Sequence, residues 1–396
     1  MDIHSLAATA GNWLNLLSQH GRLIEIDSAL DGALVVERFR GHEAVCADYR
    51  FDIDCLSPSA TLDLDALVAQ PVALRLRDAD GGHRHWHGWC THAAALGSDG
   101  GFARYRLRLE PWTAFLRHRR NALVFQDLDV RGVLRRVFAD YPQAKWRFDA
   151  TQPLAKPAIT TQFRESDHAF VTRLLADAGL AWRFEHAQSA DGVATLVVFD
   201  RDAAVPDAQP ASLRFHRSDA TESLDAITAF AEQRQAVADA IGVASWQAEQ
   251  VEATSAQLTA DPAGPHVPSR EVYAVPRAGR YAERAQAELE AELQLDALRL
   301  PRRLHAGSGS GRGVDAGAAF TLTQHPDLSG QAFVPLLVEH VAANNLSTSA
   351  SQANGAGHGV AALLDAAGTE RGTYRNRFLA VPRDTAIVPL PRPRPL

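Results

Sequence analysis

Between residues 22 and 110 the chain alternates apolar and charged side chains, and one backbone geometry accommodates that pattern. Tyr49, Phe51 and Ile53 alternate with Asp48, Arg50, Asp52 and Asp54. Val72, Leu74 and Leu76 alternate with Ala73, Arg75 and Arg77, and Tyr105, Leu107 and Leu109 alternate with Arg104, Arg106 and Arg108. In a strand successive side chains point to opposite faces, so period two with one charged face means strands that pack on a core from one side. Turn signals separate these runs at Asp31-Gly32, Ser57-Pro58, Asp80-Gly81-Gly82 and Ser98-Asp99-Gly100-Gly101. Several short strands at such spacing predict an antiparallel barrel.

At Pro111 the period changes. Trp112, Phe115 and Leu116 fit a short helix, and Val130, Val133, Leu134, Val137 and Phe138 fit a second that follows Asp127 and Asp129. Ser166 is a good N-cap for a third helix carrying Phe170, Leu174 and Leu175, which should end at Gly179. Leu180–His186 and Val193–Phe199 then read as a hairpin around Asp191-Gly192. Residues 112–205 therefore read as a small α+β domain.

The stretch 211–260 is ambiguous, because its alanines and glutamines favour helix while Ile227, Phe230, Val237, Ile241, Val243 and Trp246 settle no period. Residues 282–300 are the clearest helix, with Ala282, Ala285, Leu289, Leu293 and Leu300 forming a stripe. A glycine-rich turn over 307–313 precedes strands at Ala319–Thr323 and Val334–Val341. Residues 347–359 read as a loop, and the prolines of Pro389–Leu396 favour an extended connector.

Composition narrows the function classes. A net charge of −7 argues against a nucleic-acid groove, which usually shows as a basic domain. The three cysteines, Cys46, Cys55 and Cys90, form no Cys-x-x-Cys pair and read as reduced thiols of a chain that folds in the cytoplasm. No run approaches the roughly 18 apolar residues of a membrane helix, so no stable membrane insertion is expected. Residues 1–19 lack the basic start and long apolar core of a signal peptide.

Five segments, in order, resemble the N-terminal region of VgrG proteins, the spikes of type VI secretion machines. Gln162–His186 (QFRESDHAFVTRLLADAGLAWRFEH) resembles the family's aromatic-x-Glu-Ser block, its Phe/Leu-rich helix, a Gly and a short aromatic strand. Leu116–Val130 resembles the segment after the family's first barrel. Gly311–Leu322, followed by His325-Pro326, resembles its Gly-rich turn and strand, and Val338–Asn345 and Tyr374–Pro382 complete the set. Two departures stand out: Ala169 where an acidic residue is typical, and Val272–Pro276 where an aromatic-Pro-Gly run is usual. The family's later barrel and β-helix needle have no counterpart here.

The resemblance implies a β-dominated, mixed α+β chain like a phage baseplate hub, with two antiparallel β-barrel tube-like domains, an intervening α+β domain and an inserted long helix. The expected division is an N-terminal extension at 1–21, a first barrel at 22–111, the α+β domain at 112–205, a second barrel at 206–345 with the helix 282–300 inserted, and a C-terminal segment with a Pro-rich linker at 346–396. The second barrel would be built from 211–260 and 305–345, overriding the helix propensity. The implied function is structural: a homotrimeric hub that docks on a hexameric Hcp-like tube, meets baseplate components, carries effector cargo in some relatives, and is expelled from the cytoplasm into a target cell without a signal peptide. No enzyme activity and no cofactor are implied. A tail hub of a phage or prophage shares this architecture. By the same resemblance Phe163, Glu165, Ser166, Phe170, Leu174, Gly179, Gly311, Gly317, His325, Pro326, Asn376 and Phe378 are structural motif residues.

Three features invite other chemistry. A strand puts His83, His85 and His87 on one face, with Cys90 and His92 following, which are residue types that bind zinc and would suit a zinc-dependent hydrolase. Adjacent strand histidines rarely converge tetrahedrally without a ligand from elsewhere, so polar histidines on a hairpin arm are the plainer reading and no metal is assigned. Ser166-Asp167-His168 holds the residue types of a hydrolytic triad, but consecutive residues rarely reach one another as nucleophile, base and orienter. A capping Ser and a first-turn Asp account for them, with Glu165 and Arg164 expected to pair or meet backbone groups there. Gly307–Gly313 lacks the phosphate-loop spacing, and Arg117–Arg120 reads as a solvated face or a subunit contact.

Overall fold

The computed structural model describes residues 21–391 apart from 31, 99–100, 218–224, 261–269, 277 and 347–371. The expectations for residues 1–20, for the Ser/Ala/Gly-rich loop from 347 and for the proline run beyond 391 lie outside the described residues.

The first barrel is made by β1 (Ile24–Asp27), β2 (Val35–Ala44), β3 (Ala47–Ser57), β4 (Pro71–Arg77), β5 (His83–Ser98) and β6 (Ala103–Glu110). They lie in the order β1-β4-β5-β6-β3-β2. The alternation explains why. Phe51, Ile53, Leu74, Leu76, Leu107 and Leu109 are wholly buried around Trp86, whose ring lies 5.0 Å from that of Phe51. The charged positions face outward and meet across strands: Asp54 accepts from Arg106 at 2.7 Å and Arg38 at 3.0 Å, and Asp52 accepts from Arg108 at 2.9 Å. Opposite charges on directly facing strands stabilise the pairing.

A 3-10 turn at Trp112–His118 leads into the α+β domain: β7 (Arg120–Gln126), α1 (Val130–Phe138), β8 (Trp146–Phe148), β9 (Ile159–Ser166), α2 (Asp167–Asp177), β10 (Ala181–His186) and β11 (Ala194–Phe199). Asp129 caps α1 by accepting from Gly132 N at 2.8 Å, and Ser166 Oγ caps α2 by accepting from Ala169 N at 3.1 Å. Gly179 adopts φ +66° just past α2, where Leu180 N donates back to Leu175 O, a left-handed stop that glycine makes cheap. β10 and β11 pair antiparallel, as the hairpin reading expects.

The second barrel comprises β12 (Asp207–Phe215), β13 (Ala226–Arg234), β17 (Arg303–Gly309), β18 (Ala319–Thr323), β19 (Ala332–Ala343) and β20 (Thr373–Pro382), in the order β12-β18-β19-β20-β17-β13. Pairing of β19 with β20 and of β12 with β13 closes it into a six-stranded barrel. Between β13 and β17 the chain adds β14 (Ala240–Gln247), β15 (Glu252–Thr259), β16 (Glu271–Ala274) and α3 (Arg284–Arg299).

Three local expectations are corrected. β14, β15 and β16 do not join the second barrel. They form a separate three-stranded sheet, because Ile241, Val243 and Ala256 bury their side chains against Ala287, Ala291 and Leu295 of α3. Thr373–Pro382, expected within the C-terminal segment, supplies a barrel strand whose Phe378 and Ala380 are buried in the barrel core. Gly307–Gly309, expected in a turn, ends strand β17. A Cβ on Gly307 would lie inside the Phe378 ring and one on Gly309 would strike Ala226 O, so close approach, rather than flexibility, requires these glycines.

The two barrels are one hydrogen-bonded surface. β2 pairs antiparallel with β19, from Leu337 opposite Ala44 to Ala343 opposite Arg38, joining the barrels into a continuous 12-stranded sheet.

Candidate functional site

At that seam the inward face of β2 carries a carboxylate. Phe39, Gly41 and Glu43 share the face that looks into the first barrel, and Glu43 is 6% exposed. Such a charge is costly to bury unless it is fully bonded. Glu43 Oε2 accepts from Arg84 Nη2 at 3.2 Å, from Trp86 Nε1 at 3.3 Å and from His340 Nε2 at 2.8 Å. His186 Nε2 approaches Oε1 at 3.4 Å. The neutral tautomers follow from the network. His186 Nδ1 accepts from His87 N at 3.1 Å, leaving its proton on Nε2. Tyr374 OH donates to His340 Nδ1 at 2.8 Å and accepts from Asn376 Nδ2 at 3.1 Å, so His340 also carries its proton on Nε2.

Arg84 is the second hub. Its guanidinium bonds the carbonyls of Arg312 and Val314 and the carboxylate of Asp315, and lies 4.4 Å over the Trp86 ring. Burial alone would raise the Glu43 pKa, but the adjacent His186 imidazole, the hydrogen bond from His340 and the Arg84 charge hold it well below the usual carboxylate range. Burial pushes His340 down despite Glu43, which keeps the imidazole neutral. Burial also opposes the Arg84 charge, yet Asp315 and Glu43 outweigh it and raise the pKa. Glu43, Arg84 and Trp86 come from the first barrel, His340, Tyr374 and Asn376 from the second, and His186 from the α+β domain. Chemically this is a latch that fixes three parts in one orientation. A groove of about 840 Å³ opens beside it, lined by His83, Arg84, His186, Arg183, Asp225 and Asp315 among others.

The residues singled out from the sequence are spread widely over this frame. His83, His85 and His87 do share a face, with His85 and His87 stacked at 5.7 Å, and His87 Nε2 bonds Ala187 O at 2.9 Å. Burial lowers the pKa of both His85 and His87. Among the described residues no three His, Cys, Asp or Glu are grouped so as to hold a metal ion. Ser166, Asp167 and His168 point to separate partners. Ser166 caps α2, Asp167 accepts from Tyr141 OH at 2.7 Å and Gln162 Nε2 at 2.8 Å, and His168 Nε2 meets Asp48 at 3.0 Å. Glu165 pairs with Arg173, 3.2 Å from its Nε, rather than with Arg164, which bulges out of β9 at φ 53° and covers the Phe163 ring. Arg117 bonds Asp48 and Glu110, and Arg119 bonds Asp140, so two of the three arginines of this basic run are paired within the chain.

Of the motif residues, Asn376 alone sits in the latch, where its Nδ2 also donates to Gly311 O at 2.7 Å. Gly317 (φ +85°) lies where a Cβ would come within 2.7 Å of the Arg183 side chain. Phe170 stacks on Phe125 and Leu174 is buried in the α+β core, while Phe163 is exposed. His325 Nδ1, next to Pro326, accepts from the backbone of Asp327 and Leu328 and its ring packs on Phe215. Sequence reasoning missed Glu43, Arg84, His186 and His340. The available signal was a charge on the inward face of an alternating strand: Glu43 continues the register of Phe39 and Gly41.

Residues 42–346 match the family model described as phage tail baseplate hub (GPD). The type VI secretion system spike protein VgrG4b of Pseudomonas aeruginosa is 28% identical over 93% of this chain and 45% of its own length. The chain spans less than half the length of the curated relatives it matches first. Among solved structures, the E. coli c3393 protein, described as a type VI secretion component with structural similarity to the T4 tail proteins gp27 and gp5, aligns with a TM-score of 0.64 at 17% identity, covering 94% of this chain and 80% of that one. The 43 kDa tail protein of prophage MuSo2 from Shewanella oneidensis aligns with a TM-score of 0.58 at 11% identity, covering 92% and 99%.

Proposed function

Because the chain belongs to the phage tail baseplate hub family, we propose that it is the tube-docking hub of a type VI secretion spike, three copies of which close a ring of six barrels and cap a hexameric Hcp-like tube. The observation that carries this reading is the pair of barrels with one strand order, locked side by side by the β2–β19 ladder and the Glu43 latch. A threefold assembly can meet a sixfold ring only if each subunit presents two similar faces. The sequence relationship to a secretion spike over 93% of the chain favours this setting over a phage tail. The hub works mechanically: it assembles in the cytoplasm with baseplate components, leaves with the tube, and any cargo travels on it.

The test is binding to the tube. Purified hexameric rings of the tube protein encoded with this chain should co-sediment with it at one ring to three chains. Free chains alongside intact rings at high concentration would contradict the proposal.

A further inference from the structure

The barrels repeat each other strand by strand. Their strand orders, β1-β4-β5-β6-β3-β2 and β12-β18-β19-β20-β17-β13, correspond position for position. The departure is at the first strand, where β1 runs antiparallel to β4 but β12 runs parallel to β18. Two β-bulges of each barrel correspond as well, while the breaks at His42/Ala44, Ala95/Gly97 and Asp207/Ser212 have no counterpart. The β2–β3 register breaks between Val36 and Arg38, and the β13–β17 register breaks between Ile227 and Ala229. The β5–β6 register breaks between Cys90 and His92, and the β19–β20 register between Pro335 and Leu337. Bulges therefore match Val36 with Ile227 and Cys90 with Pro335. The remaining ladders agree independently. Val36 faces Cys55, which faces Tyr105; Ile227 faces Gly309, which faces Asn376. Counting along β6 and β20 from these partners brings Leu109 onto Ala380, and those residues face Cys90 and Pro335.

This equivalence exposes two half-made joints. In the second barrel, β19 beyond the bulge pairs with β20 on one side and with β2 on the other. Its counterpart, Thr91 to Gly97 of β5, has β6 on one side, but the β4 ladder stops at Trp89 and among the described residues no strand lies on the other. In the first barrel, β2 gives its free side to β19. Its counterpart, Ala229 to Arg234 of β13, has β17 on one side, while the β12 ladder stops at Ile227 and among the described residues no strand follows. Each chain thus carries one unpartnered copy of the β19 edge and one unpartnered copy of the β2 edge, on different barrels. Open edges of this kind recruit strands.

We infer that the β5 segment Thr91–Gly97 of one copy pairs antiparallel with the β13 segment Ala229–Arg234 of the next, repeating between subunits the joint that β19 and β2 make within one. The inference rests on the ring-forming hub reading and adds its interface. Transferring the register is direct. Val338 opposite Glu43 becomes Ala93 opposite Arg234, Glu339 opposite His42 becomes Ala94 opposite Gln233, and His340 opposite Gly41 becomes Ala95 opposite Glu232. The partners are compatible: Ala93 to Ala95 are small and half-buried to exposed, and Ala231 to Arg234 are exposed. The intrachain latch is not repeated, since Arg234 and Ala95 stand where Glu43 and His340 do. A heterologous joint held by a backbone ladder without a buried ion pair is reversible, so the ring forms with rising concentration.

The experiment places cysteines at the transferred register. In the Ala94→Cys/Gln233→Cys double variant the Cβ atoms would lie about 5 Å apart across the joint, and mild oxidation should convert most of the chain to a covalent species of three times the 42.9 kDa chain mass. In Ala94→Cys/Ala229→Cys the partner is displaced along β13 by about 13 Å at 3.3 Å per residue, and conversion should fall at least tenfold. The unaltered protein supplies a second readout: amide exchange at Thr91–Gly97 should slow as concentration rises. A trimer by light scattering with no cross-link and no added protection overturns the edge pairing and leaves the hub reading standing. A monomer at every concentration overturns both.

Discussion

Replacing Glu43 by alanine removes the acceptor shared by Arg84, Trp86 and His340 at the seam. Arg84 keeps Asp315 and two carbonyls, so it is not stranded. Trp86 Nε1 and His340 Nε2 lose the acceptor and stay buried. Each unpaired buried donor costs about 1–3 kcal/mol, and breaking a buried ion pair costs about 3–5 kcal/mol. These describe overlapping losses, and relief of the Glu43 desolvation offsets part of them, so the net is about 4 kcal/mol. With an unfolding entropy of about 2.1 cal/mol/K per residue, a chain of 396 residues melting as one unit loses about 1.2 °C per kcal/mol, so the melting temperature should fall by about 5 °C. Circular dichroism melts at neutral pH provide the assay. Glu43→Gln, which retains an acceptor, should lose roughly half as much. Melting of Glu43→Ala within about 2 °C of the parent would refute the assignment of the seam as a latch.

Acid should weaken the fold in a definite window. His340, His85 and His87 have folded pKa values depressed by burial, so below the unfolded value of about 6.5 the unfolded chain binds more protons. Stability is therefore full above about pH 6.5 and declines below it, with Glu43 adding a further loss beneath about pH 4.3 as its depressed carboxylate is protonated; urea midpoints that rise on acidification through this range would contradict the assignment. Gly307→Ala forces a methyl into the Phe378 ring and should cost about 1–3 kcal/mol, read as a lower urea midpoint at unchanged slope. Ser166→Ala removes the α2 cap and should cost about 1 kcal/mol, while Ser166→Asp should restore it.

The first barrel is legible in the sequence because both faces of its strands are chemically distinct. Arg104, Arg106 and Arg108 had to face away from Tyr105, Leu107 and Leu109; Asp54 and Asp52 supply the partners of Arg106 and Arg108 one strand away, and Glu37, two strands away, meets Arg104. The second barrel is not legible in the same way. In β13 the bulge between Ile227 and Ala229 breaks the alternation, so the two inward residues Ile227 and Phe230 fall at odd spacing amid helix-forming alanines. Resemblance, rather than period, identified that strand. Ile241 and Val243 do alternate, but nothing local says that they leave the barrel for α3. The seam was hidden for the same reason: Glu43 and His340 are 297 residues apart, and only the fold makes them partners.

End-on electron-microscopy averages of the assembled particle test the six-from-three construction most directly. Three chains should appear as an annulus of six similar densities around one axis, alternating between two slightly different shapes. Rings of two or four chains, or three chains that leave only three densities on the annulus, would contradict it.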